Sequence, residues 1–433
     1  MNETENRNLT VIAGLRTDET EEEFGHAMDE LKSLCEACEL EVAGVLTQSL
    51  PHPDKATWIG SGKAEELKMT VLALDAAYVV CLGNLAPSPM KNLQKIVGCP
   101  VWDRTQLILE IFSRRARTRE ARLQVECAYL QYMMPRLSGM WQHLGRQSGG
   151  GGSRANKGEG EKQIELDKRQ ISHRITELKK ELSQIEQTRD VQRQGRSRDG
   201  YPNVALAGYT NAGKSSLMNL LLAMGRRSQE KTEEKKVFEE DMLFATLDTS
   251  VRKIAIAGRK PFLLSDTVGF IENIPHDLIK AFRSTLAELR YADVILIVLD
   301  SSDPHHPMHR KVTEETLSEL GALTVPRIYV YNKADLRDDG RTVKNGPGNE
   351  AVYISARTGY GIDELLDALQ RIFRAGNRRI EVTIPYSAGD LLNRIHKEAE
   401  LIVEEHRQDG TYIEADCPAA LAEQLLARCT ATP

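Results

Sequence analysis

Apolar residues along the chain form short continuous runs, typical of buried strands, and longer stretches with helical spacing. Because strands that alternate with helices are typical of a parallel sheet, residues 1–115 are predicted to form a small α/β domain. Its predicted elements are the strand Leu9–Ala13, the helix Glu21–Leu40, the strands Val42–Leu46 and Ala77–Cys81, the helix Pro89–Val97, the strand Pro100–Trp102 and a helix capped by Asp103.

One turn in this domain contains two glycines and a lysine, Gly60-Ser61-Gly62-Lys63, directly before a helical pattern. Backbone N–H groups at the start of a helix can bind an anion, so one interpretation is a phosphate contact. On this interpretation the chain could be an RNA chaperone or helicase that binds ATP at this turn. The other is a plain strand-to-helix turn. The spacing is not that of a phosphate-binding loop, which favours the turn.

Two helical segments separated by a glycine-rich stretch are predicted for residues 116–200. The first ends near Pro135, and the second extends from Glu161 to about Gln194 with a coiled-coil seam of Ile164, Ile171, Leu178 and Ile185. Residues 149–160 carry no apolar side chain larger than alanine, so a flexible loop is expected there. An antiparallel hairpin would result, with Arg146, Arg154 and Lys157 at its mobile tip; alternatively, the charges are only a solvated face and the loop a spacer.

The rest of the chain is predicted to form two further domains. Residues 201–375 again alternate strand and helix, with predicted strands Val204–Ala207, Ile254–Ile256, Phe262–Leu264, Val294–Leu299, Ile328–Tyr331 and Val352–Ile354. Residues 376–433 are predicted to be a small α+β module, comprising the edge strand Asn377–Ile384, the helix Leu391–Val403, the strand Tyr412–Ala415 and the helix Ala419–Leu426.

A glycine-rich motif lies between the apolar run Val204–Ala207 and a helical pattern. It reads G-x-x-x-x-G-K-S, the pattern of a phosphate-binding loop. The glycines let backbone N–H groups converge on phosphate oxygens, the lysine reaches the β- and γ-phosphates, and the serine hydroxyl binds Mg²⁺. The predicted phosphate-binding residues are Gly208, Tyr209, Thr210, Asn211, Ala212, Gly213, Lys214, Ser215 and Ser216.

Two later segments have the residues that a nucleotide-dependent switch needs. In the segment Phe244-Ala245-Thr246-Leu247-Asp248, Thr246 is placed to bind Mg²⁺ and contact the γ-phosphate. In Asp266-Thr267-Val268-Gly269, Asp266 can hold the metal and the Gly269 N–H can meet the γ-phosphate. The predicted catalytic residues are Lys214, Thr246 and Gly269, and the predicted metal ligands are Ser215, Thr246 and Asp266.

The last two segments predict that the base is guanine. In Asn332-Lys333-Ala334-Asp335, the carboxylate of Asp335 can accept hydrogen bonds from both N1–H and N2–H₂ of guanine. Adenine lacks this donor pair and would leave the carboxylate unpaired. In Ser355-Ala356-Arg357, a backbone N–H can meet guanine O6. Each motif is weak alone, but their order, each at the end of a predicted strand, is specific for a guanine-nucleotide switch.

The residue after Gly269 bears on the rate of hydrolysis. It is Phe270, where a Gln would orient the attacking water. Intrinsic hydrolysis should therefore be slow unless another element, a partner or a cation stabilises the transition state. Asn211 is a candidate K⁺ ligand for that purpose; alternatively, it only stabilises the loop.

Composition limits the remaining possibilities. The net charge of −6 over 433 residues excludes a polycation that coats nucleic acid, so any RNA contact must come from local basic patches. No signal peptide or membrane-length apolar run is apparent, so a cytoplasmic location is expected. The 7 cysteines are scattered, which argues against a disulfide framework. Cys35 and Cys38 lack a second ligand pair and are expected to be structural.

Several stretches outside the common nucleotide motifs resemble the HflX family of ribosome-binding GTPases, and the resemblance covers nearly the whole chain. They include Trp58–Leu67, Asp103–Phe112, Arg115–Thr118, Gln124–Glu126, Tyr132, Pro135–Leu137 and Gly158–Arg169. The chain departs from the family pattern at Thr249, where a proline is usual, and at Lys162, which follows a segment that usually reads G-P-G-E-T. The first departure bears on the timing of the switch and the second on contacts of the hairpin tip.

The resemblance implies an α/β fold and a function. A P-loop GTPase domain, residues 201–375, would follow a small α/β domain with a long antiparallel helical hairpin and precede a small α+β module. The family binds GTP with Mg²⁺, hydrolyses it, and binds the large ribosomal subunit and its rRNA. The subunit stimulates hydrolysis, and the family can separate stalled ribosomes into subunits. A monomer is expected, and the alternative function is a GTP-dependent binding module that recruits RNA or protein without remodelling.

Overall fold

A computed structural model describes most of the chain and divides it into two compact units. The described residues are 8–137, 155–198, 201–227, 250–267, 269–270, 283–337, 351–375 and 377–431. The first unit is built mainly from residues up to Glu186, and the second mainly from residues after it. Among the described helices, none is both long and apolar enough to cross a membrane.

The N-terminal domain is a parallel four-stranded sheet with helices on its connections, as the alternating pattern predicts. The strand order is β2-β1-β3-β4. Every neighbouring pair in this sheet is parallel. The elements are β1 Leu9–Arg16, α1 Glu21–Ala37, β2 Glu41–Ser49, α2 Ser61–Leu74, β3 Tyr78–Cys81, α3 Pro87–Val97, β4 Val101–Asp103 and α4 Arg104–Arg115.

Local chemistry sets the ends of these helices. The Thr20 hydroxyl and the Glu23 carboxylate form a reciprocal capping box at the start of α1. The predicted cap of α4 is confirmed, because the Asp103 carboxylate accepts a 2.8 Å hydrogen bond from the Gln106 N–H. The stretch predicted as a Gly60–Lys63 turn is the start of α2, with Gly60 as the N-cap and Ser61–Lys63 in the first turn of the helix.

The two predicted helices of the hairpin pack against each other. They are α5 Arg119–Met133 and α6 Ala155–Arg198. Leu123, Cys127, Ile175 and Leu178 form the buried core between them. The ion pairs Arg119–Glu181 at 2.8 Å and Glu126–Arg174 at 2.8 Å run in opposite sequence order, so the pairing is antiparallel, as predicted.

The second helix of the hairpin begins earlier than Glu161, the start that the sequence pattern predicts. The helix α6 begins at Ala155, so Gly158 and Gly160 lie inside it and not in a loop. Each glycine costs a helix about 1 kcal/mol, but extending an existing helix adds a hydrogen bond for every residue fixed. Lys157, predicted to lie in the mobile tip, is therefore part of the helix, whereas residues 138–154, with Arg146, Arg154 and 149–152, lie outside the described residues.

The second unit begins with a six-stranded sheet. Its strand order is β10-β9-β8-β5-β7-β6, and only the β6–β7 pair is antiparallel among the described strands. Helices pack on the sheet, so the α/β class is confirmed. The elements are β5 Asn203–Gly208, α7 Lys214–Arg227, β6 Ser250–Ile254, β7 Phe262–Asp266, α8 Arg283–Arg290, β8 Val294–Asp300, α9 His306–Glu319, β9 Arg327–Asn332, β10 Ala351–Tyr353 and α10 Ile362–Arg374.

The predicted antiparallel pair in this sheet exists, but its first strand lies earlier than expected. The strand β6 ends at Ile254, and Ile256 belongs to the turn that follows. The Arg259 N–H donates to the Ile256 carbonyl at 3.1 Å, and Gly258 adopts a φ of +76° within this turn. Ile256 therefore belongs to the turn, although its apolar side chain predicts a strand.

The C-terminal module corrects two predictions. Residues Leu391–Val403 are not one helix, because α11 Gly389–Glu398 is followed by the strand β12 Glu400–Arg407. The β-branched residues Ile402 and Val403 favour a strand, and β12 pairs with β13 Gly410–Pro418. The strand β11 Asn377–Ile384 is not an edge, because the order is β12-β13-β11-β14. The remaining elements are α12 Ala419–Arg428 and β14 Thr430–Ala431.

The buried hairpin core gives a stability prediction. Leu178 is 0% exposed, whereas Leu166 of the same helix is 49% exposed. We expect Leu178→Ala to weaken the α5–α6 pairing by about 2–5 kcal/mol, because it removes a fully buried side chain and leaves a cavity. Leu166→Ala is the matched control and should change it by less than about 0.5 kcal/mol. Amide hydrogen exchange within Arg119–Met133 measures both, and equal protection in the two variants would contradict the packing.

Candidate guanine-nucleotide site

The phosphate-binding loop connects β5 to α7 and requires glycine at both ends. Gly208 has a φ of +140°, and a β-carbon built there would lie 2.1 Å from the Val298 carbonyl oxygen. Gly213 has a φ of +89°, and its β-carbon would lie 2.2 Å from Asn332 Nδ2. No side chain fits at either position, so the close backbone curl depends on both glycines.

The loop lysine is held inside the curl. Lys214 Nζ donates to the carbonyl oxygens of Gly208 at 3.1 Å and Tyr209 at 2.8 Å. Burial lowers the pKa of Lys214 to about 8, although the charge of Asp266 acts to raise it. A bound phosphate would raise this pKa again, because a nearby negative charge favours the ammonium form.

The predicted metal ligands that the structure describes meet at the end of β7. The Ser215 hydroxyl donates to Asp266 Oδ2 at 2.8 Å, and Asp266 is fully buried. A hydroxyl and a carboxylate are oxygen ligands of the kind that Mg²⁺ prefers, so this pair fits the ion. Ser215 and Ser216 both lie in the first turn of α7. The third predicted ligand, Thr246, and the rest of Phe244–Asp248 lie outside the described residues.

The segment after β7 pairs with the phosphate-binding loop. The Phe270 N–H donates to the Gly208 carbonyl at 3.0 Å, and the Thr210 N–H donates to the Phe270 carbonyl at 2.8 Å. Phe270 is 1% exposed. A β-carbon at Gly269 would lie 3.0 Å from Lys214 Nζ, so this glycine sits directly beside the lysine ammonium. Thr267 donates to the Leu206 carbonyl at 2.6 Å, whereas Val268 lies outside the described residues.

Asn332 connects two loops of the site and does not face solvent. It is 2% exposed. Its Nδ2 donates to the Ala212 carbonyl at 2.9 Å, and its Oδ1 accepts from the Ala356 N–H at 2.9 Å. The side chain therefore ties the phosphate-binding loop to the 355–357 loop. That the latter loop also presents an N–H to guanine O6 stays a prediction.

The predicted base-reading carboxylate is oriented by an arginine. Asp335 Oδ2 forms a 2.6 Å ion pair with Arg357, whose own side chain is 74% exposed. A hydrogen bond from Ser355 and the charge of Arg357 hold the pKa of Asp335 below its usual range. The carboxylate is therefore ionised near neutral pH, which a double acceptor for guanine N1–H and N2–H₂ requires.

Two left-handed residues complete the site geometry. Lys333 has a φ of +60°, and its Nζ forms a 2.7 Å ion pair with Asp300 Oδ2, while Ala334 opens a short 3₁₀ turn that carries Asp335. Asn211 has a φ of +58°, a conformation that asparagine tolerates better than most residues. The loop conformation alone therefore accounts for Asn211, and its K⁺ contact stays a prediction.

Sequence reasoning missed two residues of the site. The imidazole of His309 stacks on the Tyr209 ring with centroids 3.9 Å apart and an interplanar angle of 13°. Asp300 holds Lys333, as described above. Neither residue belongs to a recognisable motif, and His309 is far from the loop in sequence, so only the packing of α9 beside β5 reveals it.

The Asp335 geometry predicts a change of base preference. Asp335→Asn should weaken GTP binding by roughly tenfold or more and improve XTP binding, because the amide keeps one acceptor and adds a donor that faces the xanthine O2. Competition of GTP and XTP for a fluorescent nucleotide measures both affinities. Asp363→Asn is the control, because Asp363 is an exposed carboxylate of the same domain paired with Arg259 at 3.2 Å. An unchanged ratio of GTP to XTP affinity in Asp335→Asn would refute the assigned role.

Comparison with known proteins identifies the family. Three family models match consecutive parts of the chain, described as GTP-binding GTPase N-terminal for residues 25–113, GTP-binding GTPase Middle Region for 115–196, and 50S ribosome-binding GTPase for 203–333.

Curated relatives match over nearly the full length. GTPase HflX of Caldanaerobacter subterraneus subsp. tengcongensis is 40% identical over 415 residues, which are 96% of this chain and 92% of the relative. GTPase HflX of Lacrimispora saccharolytica is 39% identical over 415 residues, covering 96% and 95% of the two chains. GTPase HflX of Escherichia coli is 37% identical over 389 residues, covering 89% and 88%. The resemblance seen in the sequence is confirmed, and the chain belongs to the HflX family of GTPases.

Proposed function

We propose that this GTPase binds the large ribosomal subunit in its GTP-bound state, is stimulated by that subunit, and splits or rescues stalled ribosomes. It would act as a monomer in the cytoplasm. The observation that carries the proposal is Phe270, which is buried beside the phosphate-binding loop at the position where a water-orienting side chain is expected. The description of the matching family model, a 50S ribosome-binding GTPase, supports the choice of partner.

The site supplies binding and positioning for hydrolysis. Lys214 would neutralise the β- and γ-phosphates, and Ser215 with Asp266 would hold Mg²⁺. The metal ion, when bound, would stabilise the negative charge that develops between the two phosphates. Asp335 would select guanine, and the Gly269 N–H would contact the γ-phosphate.

The missing contribution is the orientation of the attacking water. The Phe270 side chain carries no hydrogen-bonding group, and its backbone is already paired with Gly208 and Thr210. A partner that rearranges this segment or adds a polar group would raise the rate. That requirement favours a GTPase whose hydrolysis is controlled by a large partner.

The hairpin is the proposed arm toward the ribosome. The α5–α6 core and its cross-helix ion pairs make a stiff support for the segment between them. That segment carries Arg146 and Arg154 in sequence, so phosphate contacts with rRNA are expected there. A GTP-dependent module that only recruits RNA or protein remains the competing function.

The central prediction concerns turnover. Purified large subunits should raise the GTP hydrolysis rate roughly tenfold or more, because they supply the stabilisation that Phe270 cannot. Phosphate release measured with and without subunits tests this, and Lys214→Ala provides the blank. Repeating the measurement in K⁺ and in Na⁺ shows whether hydrolysis depends on K⁺, as a K⁺ contact of Asn211 would require.

Co-sedimentation separates the two functions. Protein locked with a non-hydrolysable GTP analogue should pellet with large subunits and shift intact ribosomes into subunits in a sucrose gradient. Pelleting without any shift would support the recruitment module and reject splitting. No stimulation and no pelleting would refute the ribosomal role altogether.

Deletion of residues 149–152 tests the arm. We expect the deletion to leave GDP affinity within about twofold, since these residues belong to the hairpin and not to the nucleotide loops, and to weaken subunit splitting at least fivefold. The control is a deletion variant in which four Ser residues restore the length. A large loss of nucleotide binding would contradict the separation of these functions.

A further inference from the structure

The sheet of the nucleotide domain has an aromatic face that the nucleotide site does not use. In β9, Ile328 and Val330 are buried, whereas the alternating Tyr329 and Tyr331 are only partly buried. The buried pair belongs to the core that also contains Val352 and residues of α10. Because side chains alternate along a strand, both tyrosines lie on the opposite face of the sheet.

The neighbouring strand extends this face. Tyr353 of β10 is the register partner of Tyr331 in the parallel β9–β10 pair. Their rings are stacked, with centroids 4.7 Å apart and an interplanar angle of 14°. His306 meets Tyr331 edge-on, with centroids 5.8 Å apart. The two rings therefore cover each other on their inner faces, and Tyr353, on the edge strand β10, has its outer face toward the edge of the sheet.

Arginines border these rings on both sides. The Arg310 guanidinium lies 4.1 Å from the Tyr329 ring centroid. Its Nε donates to Glu314 at 2.9 Å, and its side chain is still 42% exposed. The Arg337 guanidinium lies 5.2 Å from the Tyr353 ring centroid. We call Tyr329, Tyr331, Tyr353, Arg310 and Arg337 the tyrosine–arginine surface.

We propose that the tyrosine–arginine surface binds RNA by stacking an unpaired base on the outer face of Tyr353, whose inner face is packed on Tyr331, while Arg310 and Arg337 contact phosphates. Aromatic side chains on adjacent strands of one sheet face are a means by which proteins hold unpaired RNA bases. Base stacking tolerates any sequence, and the arginines complement the backbone charge. The proposal rests on the proposed function only in taking rRNA as the source of the base.

An acidic peptide is the other ligand that arginines attract. It would pair with Arg310 and Arg337 but would gain little from the stacked tyrosine rings, since carboxylates do not stack as bases do. The ring pair therefore favours RNA. Competition with polyglutamate distinguishes the two ligands. At a site for acidic peptides, polyglutamate and unlabelled RNA would displace the RNA probe at the same concentration of negative charge.

The test uses the full chain with GDP and a fluorescent 12-nucleotide single-stranded RNA of mixed sequence. We expect Tyr353→Ala to weaken binding roughly tenfold and Tyr353→Phe to keep it within about threefold, because phenylalanine retains the stacking face. The matched control is Tyr412→Ala in the C-terminal module, where Arg407 lies 3.9 Å from the tyrosine ring centroid. This control should bind RNA like the unmodified protein.

The salt dependence of RNA binding tests the proposed phosphate contact of Arg337. Arg337→Gln should reduce the slope of log affinity against log salt by about 0.7, as expected for the loss of one phosphate contact with a single strand. If both the slope and the affinity are unchanged in Arg337→Gln, Arg337 does not contact the RNA. GDP binding confirms that each variant is folded.

Three results would overturn the proposal: no RNA binding by the unmodified chain, equal affinities of the unmodified chain and Tyr353→Ala, or an equal loss in Tyr412→Ala. If Tyr353→Ala does not fold, photocrosslinking of 4-thiouridine RNA to the unmodified chain decides. Adducts on peptides that contain Tyr329, Tyr331 or Tyr353 support the surface, and adducts only elsewhere reject it. RNA binding at these residues, without pelleting on large subunits and without stimulation of GTP hydrolysis by them, would keep this inference and refute the ribosomal function.

Discussion

The nucleotide site depends on one buried side chain, Asn332. Its amide joins the phosphate-binding loop after β5 to the 355–357 loop after β10, through hydrogen bonds with Ala212 and Ala356. Both partners are backbone groups, and Asn332 is 2% exposed, so losing either bond would leave a buried polar group unpaired at about 1–3 kcal/mol. The close approach of Gly213 to the same amide adds a steric requirement. This contact therefore fixes the distance between the predicted phosphate-binding loop and the loop predicted to contact the base.

A second set of contacts links the phosphate-binding loop to the segment that should respond to the γ-phosphate. Phe270 pairs through its backbone with Gly208 and Thr210, and Gly269 lies beside Lys214. Burial lowers the pKa of this lysine, and a nearby anion would stabilise its charged form. The Phe270 pairing thus involves the same loop that is predicted to contact the phosphates. This sharing gives a physical route by which a partner that displaces Phe270 can alter catalysis.

The two strands that carry the proposed RNA surface also lead into the base-reading loops. Tyr331 directly precedes Asn332, and Tyr353 is followed by Ile354 and Ser355. A base held against the rings would lie at the edge of the sheet that positions Asp335 and Arg357. The hairpin and the nucleotide domain would then each offer an RNA contact, one through basic residues of a helical arm and one through stacked rings.

The sequence by itself determined the chemistry that depends on neighbouring residues. Glycine spacing predicts the phosphate-binding loop and Asp103 predicts the start of α4, because each is a short-range constraint on the backbone. The seven-residue repeat predicts an apolar stripe along α6 that needs a partner helix, because the repeat keeps these side chains on one face. Tertiary structure decided what depends on distant partners. Pairing with β13 made residues 400–407 a strand, β14 placed β11 inside its sheet, and packing brought Arg357 to Asp335, His309 to Tyr209 and Tyr353 to Tyr331. No local pattern encodes these contacts, because cross-strand neighbours and loop partners are set by topology and not by spacing along the chain.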